Sequence, residues 1–132
     1  MTAVAQATVA YADARDAVVT PRQAEYRIFA RVTHRLSAAA DAAEAEGTAR
    51  ALAFPRLAEA VNDNRRLWAA LAADLAAPRN GLPEGLRAQL LSLALFTLAH
   101  SDRVLARSAS ARALVDVNTA VMRGLRGDAE AG

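Results

Sequence analysis

The sequence contains no cysteine, which excludes a disulfide, a thiolate nucleophile and a cysteine-ligated metal site. Histidine is nearly as scarce. Of the two, His34 falls opposite the apolar stripe of its predicted helix and is expected to be solvated. His100 falls near an apolar face and is expected as a hydrogen-bonded core histidine. There is no glycine-rich phosphate loop, no G-x-S-x-G, no H-E-x-x-H and no carboxylate cluster with metal spacing. The expectation is therefore a protein that is not an enzyme and that holds no cofactor and no metal.

Lysine is absent as well, so all sixteen basic residues are arginine, while alanine supplies about a quarter of the chain. That pairing is what GC-rich codons favour. Net charge is only +2, which argues against a nucleic-acid binder built on a basic stripe. The most apolar run, Leu90 to Ala99, is too short to span a bilayer, and no charged start followed by an apolar segment marks a secretory signal. A cytoplasmic protein with no membrane contact is expected. With 132 residues the chain fits one domain that can bury a core without staples.

What the chain does have is helical periodicity. Across Ala60 to Ala76, at roughly 100° per residue, Leu57, Val61, Asn64, Trp68, Leu71 and Leu75 fall in one stripe, so the only tryptophan shares a buried face with an asparagine. Asn118 sits in the same anomalous way on the stripe of Leu114, Val121, Met122 and Leu125. A buried amide without a partner costs roughly 1–3 kcal/mol, so Asn64 and Asn118 are expected to bond each other or a loop backbone and to fix the register of two helices. Arg65 flanks this stripe and is placed to run along the core edge toward Glu25 or Asn118, whereas Arg66 points nearly opposite.

Residues 1–20 form an accessory segment, either a short helix docked through Val4 and Tyr11 or a frayed arm. Thr20-Pro21-Arg22-Gln23 is a capping box with proline at the first helical position, and its helix runs to about Ala45 on a stripe of Glu25, Ile28, Phe29, Val32, Leu36, Ala39 and Ala43. Glu25 is either a first-turn carboxylate favoured by the helix dipole or the partner of an arginine from the central helix. A polar break at Glu44 to Thr48 and a short turn over Ala49 to Phe54 precede Pro55, read as the first residue of the central helix, which ends before Pro78. From Pro83 to about Leu105 the next helix is apolar nearly all round. Leu86, Leu90, Leu93 and Val104 mark one face, and Leu91, Leu95 and Leu98 lie roughly 120–180° away. Such a helix is buried among others or lends its second face to another chain, a homodimer partner included. A last helix from about Ala109 to Leu125 is expected to stop at Gly124 and Gly127, with a disordered tail at 128–132. The architecture read here is all-α: a single compact bundle of four main helices over 21–127, plus the N-terminal segment.

Four segments, T-P-R-Q-x-E-Y-R from Thr20, N-R-R-L-W-x-x-L-A-x-D-L-A from Asn64, N-x-L-P-x-x-L-R-A-Q-L-x-S-L-A from Asn80 and L-V-D-V-N-x-A-V-M-x-G-L from Leu114, together resemble the flagellar biosynthesis regulator FlaF family. Thr20 stands where the family usually has serine, and Ala38 to Ala45 is alanine-rich variable surface. The resemblance implies a cytoplasmic regulator and chaperone that binds flagellin and promotes its synthesis and export, acting opposite an FlbT-like translational repressor. Flagellin's terminal segments are amphipathic, so the implied contact is a helix held in an apolar groove, with Leu91, Leu95 and Leu98 or the Trp68 edge as anchors and Arg65 at the rim. The competing expectation is an RNA-binding regulator of flagellin message acting through Arg65, Arg66, Arg103 and Arg107.

Overall fold

The computed structural model describes residues 21–45, 47–78 and 80–131; the expected N-terminal segment and the Thr20 cap lie outside them. The described residues form four helices, α1 Pro21–Glu44, α2 Thr48–Ala76, α3 Glu84–Leu105 and α4 Arg112–Ala131, and no strand. Their order of packing is α3 on α2, α2 on α1 and α1 on α4, with α4 closing only lightly on α3. The result is the expected all-α bundle, with one thin seam.

Each helix forms because its apolar residues recur at helical spacing and bury on one side. Phe29, Leu36 and Ala40 do so on α1, and Leu57, Val61, Trp68, Leu71 and Leu75 on α2. The core divides into two clusters. One holds Leu36, Leu57, Val61, Val104 and Leu114; the other holds Phe29, Leu67, Trp68, Leu71, Leu75 and Ala94. Phe29 meets Trp68 edge to face, with ring centroids 5.8 Å apart, in the second.

Two expected boundaries are corrected. Pro55 does not open the central helix but lies inside it, since α2 runs unbroken from Thr48. Proline removes one backbone hydrogen bond. Here that loss falls at an exposed position, between the buried Ala53 and Leu57, whose packing holds the first turns in line. The chain breaks at Gly47 instead, whose φ of 77° and ψ of −147° suit glycine alone. Nothing would touch an added Cβ there, so the conformation and not space demands glycine. Gly47→Ala should therefore cost about 1–3 kcal/mol in urea unfolding; a loss within a few tenths would show that the turn relaxes freely.

The second correction concerns the expected glycine stop: α4 starts at Arg112 and continues through Gly124 and Gly127 to Ala131. A glycine weakens a helix interior by about 1 kcal/mol but ends the helix only when the chain turns there.

The two connections are specified locally. Asn80 closes α2–α3: its Nδ2 donates to the Asp74 carboxylate at 2.9 Å and to the Asp74 carbonyl at 3.2 Å, and its Oδ1 accepts from the Leu82 amide at 3.0 Å. After α3, the amides of Arg107 and Ser108 donate to the carbonyls of Val104 and Arg103, both at 2.9 Å, which is the paired bonding of a Schellman cap. The residue in the left-handed position is Arg107, at φ 63°, where glycine is usual. Arg112 then ties the start of α4 to the end of α1 through Glu44 and Asp41. The hydrogen bonds that its guanidinium donates, first to Glu44 and then to Asp41, push it further toward the charged form.

Candidate functional site

Between the two apolar clusters runs a polar belt to which every helix contributes: Thr33 from α1, Asn64 from α2, Thr97 and Ser101 from α3, and Asn118 from α4, all buried. Asn118 is its node. Its Oδ1 accepts from the Trp68 indole at 2.8 Å, and its Nδ2 donates to Asn64 Oδ1 at 2.7 Å and to Thr33 Oγ1 at 3.1 Å. The two asparagines thus bond each other, across α2 and α4, and Thr33 brings in α1. Sequence reasoning missed Thr33, because a threonine on an apolar face reads as an ordinary small residue.

The belt does not tie α3 in the same way. Ser101 Oγ donates at 2.6 Å to the carbonyl of Thr97, within its own helix. Thr97 Oγ1 and Asn64 Nδ2 are buried with no hydrogen-bond partner among the described residues. An orphaned buried hydroxyl is costly. Thr97→Val, which keeps the branched shape and removes the hydroxyl, should raise stability by about 1 kcal/mol in thermal melts; a fall of that size would mean that the hydroxyl is satisfied in solution.

The small residues Ala94, Thr97 and Ser101, with Val104, make the buried seam of α3 against its neighbours. Leucines on its shoulders fill the flanks: Leu90, Leu91, Leu93 and Leu98 are half-buried against the tryptophan cluster. Of the three expected anchors, then, Leu91 and Leu98 are half-buried against the tryptophan cluster, and Leu95 turns outward, 62% exposed. Beside it Phe96, which sequence reasoning did not single out, is 46% exposed. Its ring stacks on His100 at 5.2 Å, and His100 Nε2 bonds the Ser110 carbonyl at 2.8 Å. Ala88, Ser92 and Ala99, on the same side, are exposed too. The outward surface of α3 is thus a strip of small residues carrying two bulky apolar side chains, with the exposed Asp102 and Arg103 at its C-terminal end.

The other expected site residues fall elsewhere. Trp68 is wholly buried with its indole N–H bonded, so it offers no edge to a partner, which corrects that expectation. Arg65 reaches Asp102 of α3 at 3.3 Å, while Asn118 bonds Trp68, Asn64 and Thr33. That places Arg65 at the rim of the α3 surface. Glu25 is half-buried near the start of α1, and His34 is exposed. Arg66 pairs with Asp63 at 3.2 Å, and Arg107 lies 3.8 Å over the Phe54 ring. No group of His, Asp or Glu among the described residues could hold a metal ion, and none of the described helices is long and apolar enough to cross a membrane.

No curated protein and no solved structure matches the chain. A family model does, that of the flagellar protein FlaF, over residues 7–125. The match covers nearly the whole sequence and takes in the polar node, the α3 surface and the Arg107 cap alike. The chain belongs to the FlaF family of flagellar proteins.

Proposed function

We propose that this protein is a non-enzymatic, cytoplasmic regulator that binds flagellin and promotes its synthesis and export, holding an amphipathic flagellin segment along the outer surface of α3. The observation that carries this is the pair Leu95 and Phe96, exposed on a helix whose remaining central leucines are packed. An amphipathic helix laid along the strip would meet Ala88, Ser92 and Ala99 at close range and the two bulky side chains as anchors. The light contact of α3 with α4 supports the same reading, because it leaves this helix room to adjust to a partner.

Calorimetric titration with the cognate flagellin at low and high salt tests it. Saturable binding, little changed by salt and with a negative heat-capacity change, is expected. Fluorescence is the poorer probe, since Trp68 sits in the core and away from the contact. Absence of heat with flagellin, together with salt-sensitive binding to its message, would sink the proposal in favour of an RNA regulator. Two of the four arginines weigh against that outcome: Arg65 and Arg66 each pair with a carboxylate within the chain, whereas Arg103 and Arg107 are exposed.

A further inference from the structure

At the end of the bundle away from Trp68, the last turns of α1, the first turns of α2 and the α3–α4 connection enclose a cleft of about 640 Å³. This is the size of cavity that holds small ligands, roughly 300–1,000 Å³. Its floor is Ala40, Leu57, Val104 and Ala111, all buried. Alanine side chains end at Cβ, so the floor is apolar and unfilled. On the rim sits Arg107.

Three features of Arg107 converge. Its backbone is left-handed, at φ 63°, as the cap after α3 requires, and this fixes the direction in which its side chain leaves the rim. Its guanidinium lies 3.8 Å over the ring of Phe54, another lining residue, and this stacking holds the fork of N–H donors in place. It also has no carboxylate within ion-pair distance among the described residues, whereas Glu44 and Asp41, two described acids of that end of the bundle, are both engaged by Arg112. The cleft therefore combines an apolar floor with one stacked cation that has no carboxylate within ion-pair distance among the described residues; the one described carboxylate in its lining, Glu44, is held by Arg112.

We propose that this cleft is a second binding site, distinct from the α3 surface, which takes the C-terminus of a polypeptide. The last side chain, aliphatic or aromatic, enters the alanine-lined floor, and the terminal carboxylate accepts from the Arg107 guanidinium. A chain terminus suits the geometry because it carries an apolar side chain and a carboxylate on the same residue, and a guanidinium fork matches a carboxylate in bidentate fashion.

The test is an amide chemical-shift titration of the full chain with N-acetyl-leucyl-leucine bearing a free carboxylate, and separately with its C-terminal amide. The acid should shift resonances at Ala40, Leu57, Ala109 and Ala111 and bind about tenfold more tightly than the amide, the equivalent of about 1.4 kcal/mol. Arg107→Gly should abolish that difference while melting no lower than the parent, because glycine is at ease at this φ. Equal binding of acid and amide, shifts confined to the α3 strip, or an unchanged preference in Arg107→Gly would overturn the assignment. Decanoate serves as the lipid arm: tighter binding of decanoate than of the peptide acid would assign the cleft to fatty acids and overturn the polypeptide reading. Neither arm involves flagellin, so the result is independent of the function proposed for α3.

Discussion

Asn118→Leu should destabilise the protein by about 3–4 kcal/mol, a large share of the roughly 5–15 kcal/mol that holds a domain together. The substitution keeps the volume and helix propensity nearly right, so little of the loss comes from packing or local conformation. It comes from the three partners left behind. The Trp68 indole N–H, Asn64 Oδ1 and Thr33 Oγ1 all lose their bond to Asn118 in surroundings closed to water. Each orphaned group costs about 1–3 kcal/mol, and the leucine's own burial offsets only part of the sum. The same reasoning predicts strong coupling. Trp68→Phe alone removes one donor and should cost about 2 kcal/mol; in the double variant that donor is no longer there to be orphaned, so the combined loss should fall short of additive by about 1 kcal/mol. Urea unfolding of the four proteins measures the cycle. A cost under 1 kcal/mol for Asn118→Leu would mean that the node specifies the bundle without stabilising it.

That the two asparagines meet was readable because each breaks an apolar stripe that is otherwise unambiguous: a polar residue repeated at the same register on two helices needs a partner, and the other anomaly is the nearest candidate. The rest of the belt was not readable. Thr33, Thr97 and Ser101 are small enough to pass as neutral members of a helix face, and their burial depends on where neighbouring helices lie. Proline and glycine misled at the boundaries for a related reason. Pro55 removes a bond without ending a helix whose flanking turns are packed, and Gly124 and Gly127 permit a stop that the fold does not use. Where the chain does turn by a left-handed residue after α3, that residue is an arginine, and nothing in its identity announces the cap.

The leucine-rich α3 shows what periodicity can and cannot settle. It identified a helix with more apolar surface than one neighbour can cover. It could not divide the leucines, because the division follows from the seam of Ala94, Thr97 and Ser101: small residues let α3 approach closely, and the leucines on both shoulders then reach the core. Only the residues opposite that seam stay outside. Leu86 is exposed for a different reason, since it lies in the first turn, at the end of the helix.

Replacing both outward side chains, Leu95→Glu with Phe96→Ser, should weaken flagellin binding by at least about a hundredfold while leaving the melt nearly unchanged. The two effects separate because of where these side chains are. Leu95 is 62% exposed, and truncating a surface residue typically changes stability by less than about 0.5 kcal/mol. Phe96 gives up its stacking on His100, a contact at the surface whose loss adds little, and the His100 bond to Ser110 is made by the ring's own nitrogen. On binding, both side chains would be desolvated at the centre of the contact, where loss of an apolar anchor costs about 2 kcal/mol or more and a buried, unpaired carboxylate costs further. Two such losses exceed the roughly 2.7 kcal/mol that a hundredfold change represents. Leu98→Ala makes the control. Its side chain packs against the tryptophan cluster, so it should lower stability by about 1–3 kcal/mol and weaken binding only as far as the fold is loosened. If instead Leu98→Ala abolished binding at a temperature where it is fully folded and the Leu95/Phe96 double variant bound normally, the partner would have to enter along the thin α3–α4 seam and displace the shoulder leucines, and the docking surface would be the inner side of α3 rather than the outer.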